Sequence, residues 1–428
     1  MGSIIRYPVA GVAIMAAVAA ISPAAINPAA ADASPWLTLS GLVDARLILT
    51  DTTVGWESGS LGKTRYGAAT TGTSRLLARV ADVSLIARAD LSWNLSGFAH
   101  LVANSQQDNT VDVAEAFIAY RPAPSGDITF RARAGALIPP ISLENTGLAW
   151  TSPYTITPSA INSWVGEELK SIGPEATAIW RRDDLTVSLT GSVYTGNDTA
   201  GTELAWRGWA LHDRKAGVFE RLDLAPVKII QATSTPRISQ APYSEPGDEI
   251  DDRLGFMISA KAESDAFGQF YALHYDNRAD DTVIKKGQWA WRTAFTAVGL
   301  QTVLGDDVDV IAQYMKGTTS IITRPPAPSV VKAGYESGFL LFSRGWNQHR
   351  VSARAEFFKA DDRDPTPDNN AETGTALTAA YVLRPTDRQR LTLEVLHIHS
   401  KRPERTRSFG LPATANETQI QVSYRFFL

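Results

Sequence analysis

Apolar and polar side chains alternate one by one along much of this chain, most clearly in its last twelve residues, Glu417–Leu428. Every second position from Ile420 to Leu428 is apolar or aromatic, and glutamine, serine and arginine alternate with them as far as Phe427. Because successive side chains of a β-strand point to opposite faces, this period of two predicts a strand with one apolar and one polar face.

The same alternation recurs in about sixteen segments, which predicts an all-β protein. The connection 197–251 contains Trp206, Trp209 and an apolar run at 227–230. One interpretation is that it forms a further hairpin, which would give eighteen strands. The other interpretation of that connection is a folded outer loop or a short helix, and we favour sixteen strands. The predicted strands are 36–49, 77–91, 94–105, 111–121, 127–138, 172–181, 185–196, 252–263, 266–277, 287–299, 306–316, 335–344, 347–359, 373–384, 388–399 and 417–428.

Long and short connections alternate between these strands, so all long loops are expected to leave one rim of the sheet. This layout predicts an antiparallel up-and-down β-barrel, and an even strand count lets the last strand pair with the first. Closure also removes the edge strands that would expose unpaired backbone in lipid. The long connections are 50–76, 106–110, 139–171, 197–251, 278–286, 317–334, 360–372 and 400–416.

A strand with an aromatic-rich apolar face and a polar opposite face suits a wall between lipid and water. The final strand, with Phe426 and Phe427 before Leu428, resembles the closing strand of Gram-negative outer-membrane β-barrels, which typically end in Phe. The resemblance implies a transmembrane barrel with short periplasmic turns, in contact with membrane lipid and lipopolysaccharide.

The first 33 residues have the layout of a secretory signal peptide. Arg6 precedes the apolar segment Pro8–Ile21, and small residues lead to an A-x-A site that ends at Ala33. A membrane anchor is the alternative, but a spanning helix needs about 20 apolar residues. We therefore expect cleavage after Ala33 and a single barrel domain over 34–428.

Composition excludes several functional classes. The chain has no cysteine, which rules out disulfides and thiolate metal sites, and its net charge of −4 gives no basic footprint for nucleic acid. It carries none of the common catalytic motifs and only six histidines, of which His397 and His399 share one strand face. We predict a protein that is not an enzyme and that uses no cofactor or metal.

Sixteen to eighteen strands enclose a space too wide for wall side chains to fill, so the polar faces should line a water-filled lumen. A ring of guanidinium groups in a narrow pore attracts anions and repels cations. The alternative is that these charges only solvate the lumen and pair with neighbouring acids. The predicted inward arginines are Arg131, Arg133, Arg292, Arg350, Arg354 and Arg425.

The connection 139–171 is rich in proline and too apolar for a free surface loop. Long loops without regular structure are usually functional, so we predict that it folds into the lumen and narrows it. Its carboxylates Glu144, Glu167 and Glu168 would then face the arginine wall and create a transverse field. The alternative is an outer lid or a subunit-contact loop.

The segment Glu115–Glu144 joins a strand ending in Tyr-Arg-Pro to a strand that runs into Gly-x-x-x-Pro-Pro-x-Ser-Leu-Glu. This stretch resembles the phosphate-selective-porin-like (porin O/P-type) family of outer-membrane channels. The resemblance implies a sixteen-stranded trimeric barrel whose inward-folded loop forms the constriction. The family's anion-binding lysine array has no counterpart among the inward positions identified above.

Together these features predict an outer-membrane porin, a homotrimer that passes small hydrophilic solutes by passive diffusion and favours anions. A substrate-specific uptake channel for an anionic or organic solute is the main alternative. An outer-membrane barrel enzyme is the third, and it would need a catalytic serine, histidine and aspartate set on the wall or rim.

Overall fold

Sixteen antiparallel strands form one closed barrel in which each strand pairs with its neighbours along the chain and the last pairs with the first. The predicted signal peptide at 1–33 lies outside the described residues. The computed structural model describes residues 36–70, 72–124, 126–231, 238–305, 307–323 and 330–428. The strands are β1 (Leu37–Thr50), β2 (Leu76–Asp90), β3 (Leu95–Ala103), β4 (Val111–Tyr120), β5 (Ile128–Leu137), β6 (Ser171–Arg182), β7 (Leu185–Tyr194), β8 (Gly255–Ser264), β9 (Gly268–Asp276), β10 (Arg292–Leu304), β11 (Val308–Ile322), β12 (Val330–Trp346), β13 (His349–Asp362), β14 (Glu372–Thr386), β15 (Gln389–Lys401) and β16 (Thr414–Phe427).

The topology confirms the predicted up-and-down barrel and the preferred count of sixteen strands. Predicted bounds differ mostly by a few residues, and the largest difference is at 317–334, where β11 and β12 extend into a predicted loop. Ile321 and Val331 are fully buried there in a cluster with apolar residues of the outer loops. Packing against those loops therefore continues the two strands beyond the predicted rim.

Three of the long connections fold back into the barrel: outer loop 1 (51–75), outer loop 3 (138–170) and outer loop 4 (195–254). The connection that could have held an extra hairpin contributes no barrel strand, so the eighteen-stranded alternative is wrong. Among the described residues, no helix combines the length and apolarity needed to cross a membrane. The remaining elements are α1 (Ala160–Glu168), α2 (Thr202–Trp206), α3 (Glu404–Phe409), the 3-10 turns Trp56–Ser58, Leu148–Trp150 and Lys228–Ile230, and the two-residue strands Leu222–Asp223, Tyr243–Ser244, Ile284–Lys285 and Gln288–Trp289.

The two faces of the wall differ as the alternation predicts. Outward apolar side chains such as Phe130 and Leu377 are 58% and 62% exposed, as expected for a lipid-facing band. Inward polar side chains such as Arg354 and Glu394 are almost completely buried, because the outer loops cover them. Protein therefore fills most of the lumen beside β13 and β15, the strands that carry Arg354 and Glu394.

The inward face of β10 is mostly apolar, which contradicts the predicted inward orientation of Arg292. Phe295 and Ala297 point inward and are buried. Trp291, just before the strand, is fully buried against Trp206 of α2. Arg292 consequently lies on the exposed outward face, so its predicted inward orientation is wrong. The cause is that the protein itself, rather than water, fills the lumen beside this strand.

Helix α1 sits inside the barrel and is held by its own apolar side chains. Its first turn is capped by Ser159, whose side-chain oxygen accepts a hydrogen bond from the Asn162 backbone N–H. Trp164 then packs edge-to-face against Phe295 and Tyr335, with ring centroids 5.4 and 5.5 Å away. This aromatic contact fixes the helix against the inner wall of β10 and β12.

Candidate functional site

Arg354 of β13 anchors outer loop 3 to the barrel wall. Its Nη1 donates to Glu144 Oε2 at 3.1 Å and to the Thr157 carbonyl oxygen at 2.9 Å, both in that loop. Its Nε donates to Glu356 Oε1 of the same strand at 2.9 Å. All these side chains are buried, so the guanidinium exchanges its water for a complete set of protein acceptors.

Wall carboxylates satisfy the irregular backbone of the same loop. Glu394 of β15 accepts hydrogen bonds from the Ile156 and Thr157 amides at 2.6 and 3.0 Å. Glu356 of β13 accepts from the Ala160 amide, at the start of α1, at 2.8 Å. A non-helical segment can lie inside a barrel only if its amides find such partners. These contacts confirm the predicted inward fold of the loop.

The other two predicted loop carboxylates face outer loop 4, and only Glu144 meets the arginine wall. Glu167 accepts from Arg207 Nη1 at 3.1 Å and lies 3.0 Å from His212 Nε2. Burial alone would raise the pKa of Glu167, but these two partners outweigh it and hold the pKa well below its usual range. Glu168 accepts from the Glu203 amide at 2.9 Å, and burial raises its pKa to about 7.

Glu203 of α2 completes a cluster of three buried carboxylates between outer loops 3 and 4. Its Oε2 lies 3.4 Å from Arg207 Nη1, but neither of its oxygens accepts a hydrogen bond within the described part of the chain. Burial is the largest effect and raises the pKa of Glu203, and the charges of Glu167 and Glu168 raise it further. The contact between the two loops thus contains two carboxyl groups whose pKa values are raised by burial.

Arg425 belongs to an ion-pair network on the wall formed by β1 and β16. Its Nε donates to Asp44 Oδ2 at 2.7 Å, and Arg46 Nε donates to Asp44 Oδ1 at 3.2 Å. Arg46 also pairs with Asp213 of outer loop 4. Although burial would raise the pKa of Asp213, Arg46 beside it holds that pKa below its usual range. The network fixes outer loop 4 against β1 and β16.

An accessible cavity of about 480 Å³ remains on the other side of the lumen, between β4 and β9 and beneath outer loop 3. Its polar wall is strongly cationic, and Glu175 is the one acidic residue among the described residues that line it. The principal lining residues are Phe117, Arg121, Arg131, Arg133, Leu143, Glu175, Ile179, Lys261 and Tyr271.

Arg131 and Arg133 share this cavity wall, as their spacing in β5 predicts, but differ in their partners. Arg133 forms a two-pronged pair with Glu175, at 2.7 and 3.1 Å, and lies over the Phe117 ring. For Arg131 the described residues provide no ion pair, and its side chain is exposed to the cavity. Arg131 is therefore the predicted arginine best placed to act on a solute.

The last two predicted arginines lie apart from this cavity. Arg350 points inward near the inner rim, where its Nη1 donates to Asp309 Oδ2 at 2.6 Å and to Ser343 Oγ at 2.8 Å. Arg292, on the outward face, lies 3.4 Å from Asp276. The predicted arginine set is thus dispersed around the barrel and does not form one ring.

Three further cations near the cavity were missed from the sequence. Lys261 lies two residues after Ser259 in β8, so both side chains point inward. Because this strand was predicted correctly, the alternation could have identified Lys261. Arg121 and Arg181 lie at the inner ends of β4 and β6, where the pattern gives way to turn residues and phase is hard to assign. No signal in the sequence indicated the cations of outer loop 4 that enter the lumen.

One group of carboxylates could hold a metal ion. Oxygens of Asp198, Glu249 and Asp251 all lie within 4.8 Å of one another where outer loop 4 approaches β8. Hard oxygen ligands of this kind suit Ca²⁺ or Mg²⁺, but acidic groups of this kind also occur on protein surfaces without an ion. His397 and His399 lie on the outward face and are hydrogen-bonded to Thr418 and Asn416.

Comparison with known proteins identifies the fold but no family. No known protein family and no curated protein matches the chain by sequence. The outer membrane channel DcaP of Acinetobacter baumannii is similar in structure, with a TM-score of 0.53 and 10% identity, over 92% of this chain and 97% of that chain. At this identity the likeness supports the barrel fold alone.

Two further solved structures align over most of their length at lower similarity. The anion-selective porin from Comamonas acidovorans has a TM-score of 0.46 and 10% identity, over 92% of this chain and 99% of that one. OmpF of Salmonella typhi, in complex with daunomycin, has a TM-score of 0.48 and 12% identity, over 91% and 97%. No functional argument is drawn from either likeness.

Proposed function

We propose that this protein is a channel of the bacterial outer membrane that passes small hydrophilic solutes by passive diffusion and favours anions. One observation carries the proposal: the lumen contains an accessible cationic cavity bordered by an inward-folded loop. Loop 3 would limit solute size, and the cavity charge would select among the solutes that fit.

The charge balance of the cavity supports the preference for anions. Arg121 and Arg131 face it without an ion pair to the described residues, whereas Glu175 compensates Arg133 and Glu263 compensates Lys261. Unpaired positive charge in a confined aqueous space raises the local concentration of anions and lowers that of cations. We therefore expect chloride to carry more current than potassium.

Reversal-potential measurements in planar bilayers test this selectivity. In a KCl gradient the purified protein should show a reversal potential on the anion-favouring side, and Arg131→Ala should move it toward cations. Arg344→Ala is the matched control because Arg344 lies on the outward face near the same rim, paired with Asp307. A cation-favouring channel, or an unchanged reversal potential in Arg131→Ala, would contradict the proposal.

We also propose that the chain assembles as a homotrimer surrounded by lipid and lipopolysaccharide. The outward face of β2–β8 contains a band of alanine and glycine that forms two shallow apolar grooves, beside large residues such as Phe130 and Leu189. The outward face of β12–β16 instead carries large apolar residues such as Phe357, Leu377 and Leu393. Small residues permit close approach of a second wall, whereas large ones suit acyl chains.

A further inference from the structure

Two arginines form a row across neighbouring strands at the inner end of the cavity, and a third lies nearer the rim. Tyr120 of β4 pairs with Ala132 of β5, so Arg121 and Arg131 follow as adjacent residues on the inward face. The backbone N–H of Arg181 in β6 donates to the Asp127 carbonyl oxygen, just before β5 begins. Strand pairing therefore places Arg121 and Arg131 side by side, whereas Arg181 lies nearer the rim, four residues after Thr177, the pairing partner of Arg131.

No ion pair joins any of these three side chains to an acid within the described ranges. Arg131 instead experiences repulsion from Arg121 and Arg181. Among the nearby acids, Glu175 pairs with Arg133, Glu263 pairs with Lys261 and Asp184 accepts from the Ser264 hydroxyl. Asp127 lies opposite Arg181 and forms no ion pair with the described residues. Like charges held together without counter-charges favour a bound anion, and the guanidinium fork matches the two oxygens of a carboxylate.

An apolar wall lies beside the arginine row. Phe117, Leu143, Ile179 and Tyr271 line the same cavity. Its volume of about 480 Å³ lies within the range of small-molecule sites in proteins. A ligand that satisfied both parts of the wall would carry a carboxylate at one end and an apolar or aromatic body at the other.

We propose that the arginine row and this apolar wall form a saturable binding site for organic carboxylates with an apolar body. The inference rests on the proposed channel function, because the ligand reaches the site from the lumen. The carboxylate binds between the guanidinium groups of Arg121 and Arg131, and the body packs against Phe117 and Tyr271. Because Arg131 is exposed to water, binding is weak and reversible, as a transport site requires.

Current block by benzoate tests the site in the full-length purified protein. Chloride current through single channels should fall with benzoate concentration and reach a plateau, while benzyl alcohol at the same concentrations should have no effect. Inorganic phosphate should block more weakly, because it has no apolar body to contact the wall. In Arg131→Gln the half-blocking concentration should rise about fivefold, as loss of a water-exposed charge pair predicts.

Arg182→Gln is the matched control, because Arg182 follows Arg181 but lies on the outward face. Its benzoate block should equal that of the parent protein. Non-saturating benzoate block, equal block by phosphate, or unchanged block in Arg131→Gln would overturn the site. Failure of the channel function would look different, because no conductance would then be seen even in plain KCl.

Discussion

Arginines of the lumen wall divide into two groups according to their burial. Arg354 and Arg425 are buried by the outer loops, and each has a carboxylate within 3.1 Å. A buried charge without a partner costs several kcal/mol, so the packing of the loops requires these pairs. Arg131 remains in contact with the cavity and needs no protein partner because water and mobile anions solvate it. Loop packing therefore decides which arginines can act on a solute.

At the same scale, the carboxylate cluster between outer loops 3 and 4 should respond to pH. Glu168 and Glu203 keep their protons in the packed state to pH values above their ordinary pKa of 4.5. When the loops separate, both groups ionise normally. The contribution of these two acids to the contact is therefore fully present below about pH 4.5 and falls as the pH rises through 7, by at least about 1 kcal/mol.

Hydrogen exchange of the α2 amides, corrected for the intrinsic pH dependence of exchange, measures this effect. Protection should fall between pH 5 and pH 8 in the parent protein. In Glu203→Gln, which mimics the protonated acid, the fall should be much smaller. Glu336→Gln alters an exposed outward carboxylate and should leave it unchanged. Equal pH dependence in Glu203→Gln and the parent protein would refute this account of the cluster.

At the scale of elements, outer loop 3 is held by a few buried polar contacts in addition to its apolar core. Arg354→Gln would leave Glu144 and Glu356 buried without their cation, at a cost of about 3–5 kcal/mol. We expect the first part of the loop to leave the wall and the single-channel conductance to increase. Conductance recording of the purified variant checks this outcome.

Two comparisons make the loop experiment specific. Adding Glu144→Gln to Arg354→Gln should recover part of the parent conductance, because it removes one stranded carboxylate. Arg344→Gln removes an exposed cation and should not change the conductance. If Arg354→Gln folds, as shown by its heat-modifiable migration in gels, yet conducts like the parent protein, loop 3 does not limit the passage.

Strand alternation in the sequence predicts most elements of this fold, and β10 shows its limit. The period of two identifies the strand, but it assigns the inward face only if polar residues point inward. Phe295 and Trp291 point inward because they pack on loop residues far away in the sequence. The inward loop 3 could be predicted from its own apolar composition. The apolar residues of outer loop 4 indicated a folded loop, but its insertion into the lumen could not be predicted, because its wall contacts join residues far apart in the sequence.

At the scale of the whole molecule, the two sides of the barrel differ both inside and outside. Strands β12–β16 are packed with loops on the inside and carry large apolar residues on the outside. The walls of β4–β9 border the accessible cavity on the inside, and β2–β8 carry a band of small residues among larger ones on the outside. A subunit contact on the small-residue face would thus brace the part of the wall that the loops do not fill.

Paired substitutions on the two outward faces test that assembly. Ala134 of β5 lies in the small-residue grooves, and Ala379 of β14 is equally outward but lies among large residues. Leucine is compatible with lipid at both positions, so both variants should fold. Ala134→Leu should shift the protein from trimer toward monomer in native gels and light scattering, because the added side chain separates the walls. Ala379→Leu should remain trimeric. A trimer that tolerates Ala134→Leu but dissociates in Ala379→Leu would place the contact on the opposite side of the barrel.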